Sequence, residues 1–220
     1  EGFCLSRLFH TGVRPPPSVG LEIGLAVAAG LAKAHSLRLG GRPAGLVHRD
    51  LKSSNIMVLG DGRVKLLDFG TARFLTGNDD ITRQGEFVGT FAYASPEQVT
   101  GEPVDASSDL YSLGVLLYRL STGKRPFKAD SAHELARMHV ERKPVAPRKL
   151  VAALPEALER LIMRLLEKDP ADRPQSAERV AEYLKGQVPG ASPPKQGSLG
   201  PARLVGRTEH LTGITATLRR

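Results

Sequence analysis

Residues 46–58 concentrate acidic, amide and basic side chains that can act on a phosphate. Asp50 and Asn55 are five positions apart, with Lys52 between them, and Asp68 follows further along the chain. Asp50 can accept a proton, and the ammonium group of Lys52 can neutralise charge on a phosphate during its transfer. The side-chain oxygens of Asn55 and Asp68 suit Mg²⁺, a hard ion that shares its ligands with phosphates. Together these groups predict phosphoryl transfer to a hydroxyl.

A β-hairpin is predicted to bring the two metal-binding candidates together. Short apolar runs at Ile56–Leu59 and Val64–Leu67 are separated by Gly60-Asp61-Gly62, a sequence typical of a turn between two strands. Since the two ends of a hairpin lie side by side, Asn55 and Asp68 should face each other across its open end. The metal site is therefore expected at the mouth of this hairpin.

Helical periodicity accounts for most of the remaining chain, so the predicted fold is mainly α with a small β-hairpin. The first helix is expected from Ser18, as its N-cap, to about Leu39, and a loop is expected over Gly40–Pro43. A nearly all-apolar, buried helix is predicted over Ser107–Thr122. Residues 71–95 are polar and lack periodicity, and loops of that length are usually functional or disordered. Shorter amphipathic helices are predicted over Ala132–Arg142, Glu156–Glu167 and Ser176–Lys185.

Composition argues against several other classes of protein. The 220-residue chain has a formal net charge of +8, but its basic residues are scattered with no run of five or more, so we expect no nucleic-acid partner. No apolar run approaches the roughly 18 residues that a bilayer requires, and we expect no membrane span. The single cysteine, Cys4, cannot form an internal disulfide and fits a reducing compartment, which favours a cytoplasmic location.

The motifs around these residues resemble those of the protein kinase family. A lysine two positions after Asp50 and a threonine directly after Gly89 resemble the serine/threonine class, and the insertion before His48 resembles bacterial members. The resemblance implies the C-terminal lobe of a protein-kinase-like fold over residues 1–186, acting with ATP, Mg²⁺ (or Mn²⁺) and a protein substrate that carries serine or threonine. The motifs, in family order and spacing, are His48–Asn55, Asp68-Phe69-Gly70, Gly89–Glu97, Asp105–Gly114 and Asp172-Arg173-Pro174.

The resemblance implies roles for residues at the catalytic centre and in the ATP site. Asp50 is implied to be the catalytic base, with Lys52 in contact with the γ-phosphate and Thr90 bridging these two side chains. Met57 is implied to pack beneath the adenine ring, and Cys4 to lie at the lip of the site near the ribose. The residues implied to bind ATP or its metal are therefore Lys52, Asn55, Met57, Asp68 and Cys4, of which Asn55 and Asp68 hold the metal.

The resemblance also implies structural and regulatory contacts. Glu97 is implied to form a buried ion pair with Arg173. Asp109 is implied to accept hydrogen bonds from the backbone of the catalytic loop, His48–Asn55. Arg49 is implied to pair with a phosphorylated residue of the activation segment, and we expect that residue to be Thr82.

The histidines are not expected to bind a metal or to carry chemistry. His48 is expected to be a structural core residue that packs near Phe69. Phe69 belongs to the Asp68-Phe69-Gly70 motif. The spacing of the other histidines does not match a metal site, and surface or capping roles are expected for them. These are His10, His35, His133, His139 and His210.

The two ends of the sequence lead to separate expectations. Glu1–Phe9 resembles the exit of the hinge and the first helix of the large lobe, and the sequence carries no Gly-rich phosphate loop and no strand lysine before it. The small lobe is therefore expected to be missing, and the chain alone to transfer no phosphate at a useful rate.

Residues 187–203 are predicted to be a Pro/Gly/Ser linker. Residues 204–220 resemble the start of an AAA-like or signal-transducing ATPase domain, with an arbitrary amphipathic tail as the alternative.

Three functions fit these observations. The first is an active serine/threonine protein kinase. The second is a pseudokinase scaffold that binds partners without turnover, which the presence of Asp50, Asn55 and Asp68 disfavours. The third is a regulatory kinase-like module that controls a fused ATPase in bacterial signalling.

The activation segment, from Thr71 to Glu97, generates a prediction about switching. Thr82 lies in its middle beside Arg83, and a phosphate there can dock on Arg49 through charge-assisted hydrogen bonds. In a kinase completed by a small lobe, we expect Thr82→Ala to lower the rate of phosphate transfer strongly, and Arg49→Ala to add little further loss in the double variant. Losses that simply multiply in steady-state assays would show that the two residues are not coupled.

Overall fold

The computed structural model describes residues 2–39, 42–43, 45–69 and 91–188. Gly70, Thr82, Thr90 and residues 204–220 lie outside the described residues, as does most of the expected linker. The described helices are α1 (Leu5–His10), α2 (Pro17–His35), α3 (Pro96–Thr100), α4 (Ala106–Thr122), α5 (Ala132–Glu141), α6 (Pro147–Leu150), α7 (Glu156–Leu165) and α8 (Ala177–Gln187), with 3-10 turns at Ser53–Asn55 and Pro170–Asp172.

The predicted helices are present, with ends that differ by a few residues. The buried helix is α4, and the three shorter amphipathic helices are α5, α7 and α8, each within two residues of the predicted bounds. α8 extends to Gln187, one residue past the expected end of the domain. Short helices such as α3 and α6, of five and four residues, were not predicted because they complete too few turns to show a helical period.

Helix α2 begins and ends earlier than the sequence suggested. It starts at Pro17 rather than after Ser18. Proline suits the first helical position because its φ is already close to the helical value, and because the N–H that it lacks would have no partner within the helix. It stops at His35, and the returning chain adds a hydrogen bond from the Leu46 N–H to the Ala34 carbonyl at 3.0 Å.

Helix α2 is also more apolar than expected. Among the described residues it alone is long and apolar enough, by length and composition, to cross a membrane, so the expectation that no such run exists was too strict. Within the fold it packs against α4 and α8, with ten of its 19 residues buried. These contacts are those of a core helix in a helical domain.

The β structure is larger than a hairpin. Strands β4 (Ile56–Leu59) and β5 (Val64–Leu66) form the predicted hairpin, and β1 (Gly2–Cys4) pairs antiparallel with β4, which gives a three-stranded sheet in the order β1-β4-β5. A strand of three residues carries almost no alternation in sequence, so only its pairing with β4 defines β1. A second strand pair joins β2 (Arg38–Leu39), which lies at the end of the predicted first helix, to β3 (Arg42–Pro43), which lies in the predicted loop.

Helix α4 forms the centre of the core. Thirteen of its 17 residues are buried, and it packs against α2 on one side and α7 on the other. Gly114 allows the close approach to α7, since a Cβ at this position would lie 2.7 Å from the Leu165 Cβ and 3.2 Å from its backbone carbon. At Gly20 of α2, a Cβ would lie 3.5 Å from the Leu120 Cβ, an ordinary van der Waals contact.

These two glycines form a matched pair for a test of helix packing. We expect Gly114→Ala to lower the free energy of unfolding by about 1–3 kcal/mol, because the added methyl meets the backbone of α7. Gly20→Ala should leave it unchanged or raise it by up to about 1 kcal/mol, since alanine favours the helix and its methyl has room. Urea unfolding of the two variants measures both values. Equal stability of Gly114→Ala and wild type would contradict the close packing of α4 on α7.

Candidate active site

The catalytic loop is held to the core by the buried carboxylate of Asp109 in α4. Its Oδ2 accepts a hydrogen bond from the His48 N–H and its Oδ1 accepts one from the Arg49 N–H, each at 2.8 Å. Asp109 is 1% exposed, so a carboxylate that would be costly to bury alone instead binds two backbone donors. The contact expected from the family resemblance is present.

His35 at the end of α2 makes a third contact with Asp109. Its Nε2 donates to Asp109 Oδ2 at 2.8 Å, and the histidine side chain is 12% exposed. The expectation of a surface or capping role was therefore wrong for His35, and it was also wrong for His139, which is 1% exposed. Asp109 is 74 positions from His35 in sequence, and no local pattern links these two residues.

Two residues of the site have a left-handed backbone. Arg49 has φ = 64° and Asp68 has φ = 58°, and in the described part of the chain they are the two non-glycine residues with positive φ. Such conformations cost on the order of 1–3 kcal/mol each and persist where surrounding contacts enforce them. At Arg49 these contacts include the Asp109 carboxylate on the N–H and the Gln98 side-chain amide, which donates to the Arg49 carbonyl at 2.6 Å.

The Asp50 carboxylate is oriented by two neighbours. Lys52 Nζ lies 2.7 Å from Asp50 Oδ2, and Asn55 Nδ2 donates to the same oxygen at 3.0 Å and to the Asp50 backbone carbonyl at 2.9 Å. The Asp50 side chain is 20% exposed, so solvent or a substrate can reach it. A partly exposed carboxylate with one oxygen held in this way can accept a proton at its other oxygen.

The open end of the hairpin places Asn55 and Asp68 near each other. The Leu67 N–H donates to the Asn55 carbonyl at 2.9 Å, which joins the residue before Asp68 to Asn55 itself. The Asn55 NH₂ group is bonded to Asp50, and Asn55 Oδ1 accepts one long hydrogen bond, 3.5 Å, from Ser54 Oγ, which leaves this oxygen a second lone pair. Asp68 is exposed. An amide oxygen and a carboxylate suit Mg²⁺, which usually completes its shell with water and substrate phosphates. No cluster of three or more His, Cys, Asp or Glu side chains occurs among the described residues.

The remaining predicted residues form two pairs. His48 is fully buried, and its ring lies 4.5 Å from the Phe69 ring between centroids, which confirms its structural position. Cys4 of β1 is directly opposite Met57 of β4 in the sheet, and both side chains are half-buried. The two residues expected at the nucleotide are therefore neighbours. Cys4 also precedes α1 as its N-cap residue, without a side-chain capping bond.

The Glu97–Arg173 ion pair anchors α3 to the helical core. Arg173 Nη1 and Nη2 lie 2.7 and 2.8 Å from the two carboxylate oxygens of Glu97, and both residues are buried. Ser108 Oγ donates to Glu97 at 2.5 Å, and the other guanidinium N–H groups bind backbone carbonyls. Burial by itself raises the pKa of the Glu97 carboxyl, but the hydrogen bonds from Arg173 and Ser108 outweigh it and leave that pKa below its ordinary value of 4.5.

Gln98 is a second residue of the site that sequence reasoning missed. Its spacing from Ser95 matches the Ser-x-x-Gln capping box, which the structure contains, so the sequence did carry a signal for its role at the start of α3. Its contact with Arg49 spans 49 positions and carries no sequence signal.

Comparison with known proteins gives the family of the chain. Residues 17–184 match the protein kinase domain family. The chain belongs to that family. This kinase sequence is 46% identical over 168 residues to the serine/threonine-protein kinase Pkn3 of Myxococcus xanthus, covering 72% of this chain and 29% of that protein. It is 42% identical over 212 residues to the serine/threonine-protein kinase PksC of Streptomyces coelicolor, covering 91% of this chain and 37% of that protein.

The kinase fold is also found in a solved relative. The crystal structure of the Mycobacterium tuberculosis PknI kinase domain superposes with a TM-score of 0.61 at 25% identity, covering 86% of this chain and 62% of that chain. The protein therefore has a protein-kinase-like fold, predominantly helical with a small three-stranded antiparallel sheet. The kinase chain spans between 26% and 37% of the length of five curated relatives that it matches.

The Glu97–Arg173 pair generates the prediction for this part of the kinase. Arg173→Met should lower the free energy of unfolding by about 3–5 kcal/mol at neutral pH, because it leaves the Glu97 carboxylate buried without its partner. Arg160→Met is the matched control, since the Arg160–Glu156 pair is exposed and should contribute about 0.5 kcal/mol or less. Denaturant unfolding of both variants measures the difference, and similar losses in the two would contradict the anchoring role.

The pH dependence of the same variant has a defined sign. In the wild type, the stability that comes from the lowered pKa of Glu97 is present above pH 4.5 and is lost as pH falls through that lowered pKa. In Arg173→Met, burial is no longer opposed by the guanidinium, so the pKa of Glu97 should rise and protonation should relieve the buried charge. The stability difference between variant and wild type should therefore shrink as the pH is lowered.

Proposed function

We propose that this protein is a serine/threonine protein kinase that transfers the γ-phosphate of ATP to serine and threonine hydroxyls of protein substrates. The observation that carries the proposal is the arrangement around Asp50, whose Oδ2 is held by Lys52 and Asn55 while the side chain stays 20% exposed. The names of the bacterial relatives support the serine/threonine class.

Each group at the site has a role in this reaction. The substrate hydroxyl oxygen attacks the γ-phosphorus as the bond to the ADP oxygen breaks, and Asp50 accepts the hydroxyl proton. Lys52 neutralises charge on the transferred phosphoryl group. Because the protein forms no covalent intermediate, positioning and electrostatics must supply the stabilisation of the transition state. Asn55 and Asp68 would hold Mg²⁺, or Mn²⁺ in its place, which neutralises phosphate charge when bound.

The nucleotide and the phosphorylation switch complete the proposal. The pair formed by Cys4 and Met57 in neighbouring strands would contact the ribose and the adenine ring. Arg49 would bind a phosphate on Thr82, and the exposure of the arginine supports this role. Thr90 would bridge Asp50 and Lys52.

Three wider features belong to the same proposal. The chain through α8 would form the large lobe, the residues from there to 203 a linker, and residues 204–220 the start of a fused ATPase domain. The Val-Gly-Arg sequence at 205–207 supports that last feature. As an alternative to an active kinase, the chain would be a pseudokinase or a regulatory kinase-like module that controls that ATPase. The single cysteine supports action in the reducing cytoplasm, where ATP is abundant.

Phosphotransfer assays test the proposed function. A chimera that places the Gly-rich loop and strand lysine of a bacterial relative before this chain should phosphorylate serine or threonine of an acceptor protein, whereas the 220-residue chain alone should not. In the chimera, Asp50→Asn should lower kcat by about 10²–10⁴-fold, because the base is lost. Asp68→Asn should abolish turnover, because the metal loses its carboxylate.

Asp130→Asn is the matched control, since Asp130 is exposed and far in sequence from the catalytic motifs. It should retain wild-type kcat. Thermal unfolding of each variant confirms that the fold is intact. Wild-type turnover in Asp50→Asn would refute the assignment of the base, and wild-type turnover in Asp68→Asn would refute the metal site.

A further inference from the structure

The side chain of Gln98 connects α3 to the catalytic loop. Its Oε1 accepts hydrogen bonds from the Ser95 N–H at 3.0 Å and from Ser95 Oγ at 3.2 Å, while its Nε2 donates to the Arg49 carbonyl at 2.6 Å. One amide oxygen facing a backbone donor and one amide nitrogen facing a backbone acceptor leave a single orientation for the amide. Gln98 is 7% exposed, so water does not compete freely for these bonds.

The peptide that Gln98 holds is the one that carries Asp50. The Arg49 carbonyl belongs to the peptide unit between Arg49 and Asp50, and the N–H of that unit has only a long contact, 3.4 Å, to His48 Nδ1. Arg49 is in the left-handed region, which an arginine rarely adopts without enforcement. Asp109 accepts a hydrogen bond from the Arg49 N–H, and Gln98 donates one to the Arg49 carbonyl. The direction of the Asp50 side chain therefore depends on both contacts.

The position of α3 is set independently of the catalytic loop. Glu97, the neighbour of Gln98, is bound to Arg173 and to Ser108 of α4, so α3 is fixed on the helical core. Ser95, which orients the Gln98 amide, is the N-cap of α3. Adjacent residues of one short helix thus face the core and the catalytic loop.

We propose that Gln98 is a positioning residue for phosphate transfer, which holds the Arg49–Asp50 peptide and makes the orientation of Asp50 depend on the seating of α3. This inference rests on the proposed function of Asp50 as the base. A chain movement that displaces Ser95 would turn the Gln98 amide and release the Arg49 carbonyl. Activity would then fall although every residue that touches ATP is unchanged.

Two substitutions of Gln98 separate this role from simple packing. Gln98→Met keeps the length of the side chain and removes all three of its hydrogen bonds. Gln98→Glu keeps the shape, and when ionised it directs a carboxylate oxygen at the Arg49 carbonyl. When protonated, the same carboxyl has one donor and one acceptor and can restore both contacts. Burial against a carbonyl favours the protonated form.

Steady-state kinetics of the chimera give the first test. Gln98→Met should lower kcat by up to about a hundredfold with little change in KM for ATP, because the base is displaced while the nucleotide contacts remain. The kcat of Gln98→Glu relative to wild type at the same pH should rise as the pH is lowered from about 8 to about 6, and that of Gln98→Met should stay level. Gln175→Met, at an exposed glutamine, should match wild type. Wild-type kcat in Gln98→Met, or a level ratio for Gln98→Glu, would overturn the proposal.

Backbone hydrogen exchange of the 220-residue chain gives a test that needs no kinase activity. Gln98→Met should speed exchange at Arg49 and Asp50, with exchange in α4 unchanged, whereas Gln175→Met should alter neither. Unchanged exchange at Arg49 and Asp50 would overturn the positioning role. If the wild-type chimera transferred no phosphate while the exchange result held, the proposed function would fail and the contact between α3 and the catalytic loop would stand.

Discussion

The buried carboxylate of Asp109 is the interaction on which the site depends. It accepts hydrogen bonds from two backbone N–H groups of the catalytic loop and from the His35 ring, so two separate segments converge on one side chain of α4. A buried carboxylate without such donors would be strongly destabilised. The core helix α4 therefore requires the loop and the end of α2 to be in place, and the loop in turn adopts a left-handed backbone at Arg49 that it would not hold by itself.

A second buried carboxylate, that of Glu97, fixes the helix that contacts the loop. Glu97 binds Arg173 and Ser108, and through its neighbour Gln98 the helix α3 reaches the Arg49 carbonyl. The buried groups thus define a rigid frame, while the groups proposed to act on substrate, metal or phosphate are partly or largely exposed, as at Asp50, Asp68 and Arg49. Catalysis by positioning needs this division, because displacement of the base by an ångström can cost about a hundredfold in rate.

Much of the fold followed from periodicity, and the exceptions have clear physical causes. The hairpin β4–β5 and the buried helix α4 were predicted because alternation and a continuous apolar run are local properties of the sequence. Strand β1 was missed, since three residues form a strand only when β4 offers them an edge. Helix α2 was predicted too long at its C-terminus because no glycine or proline marks the end at His35, and the first such residue after it is Gly40.

The sequence by itself determined which residues are proposed to carry the chemistry: the residue types at Asp50, Lys52, Asn55 and Asp68, their order, and spacings that resemble those of protein kinases. Only the tertiary structure decided which side chains hold these groups in place. His35 reaches Asp109 across 74 positions and Gln98 reaches Arg49 across 49, and neither pair shares a strand, a helix turn or a motif. Contacts of this kind arise when independently formed elements pack together, because packing brings buried polar groups within reach of partners that local sequence patterns do not identify.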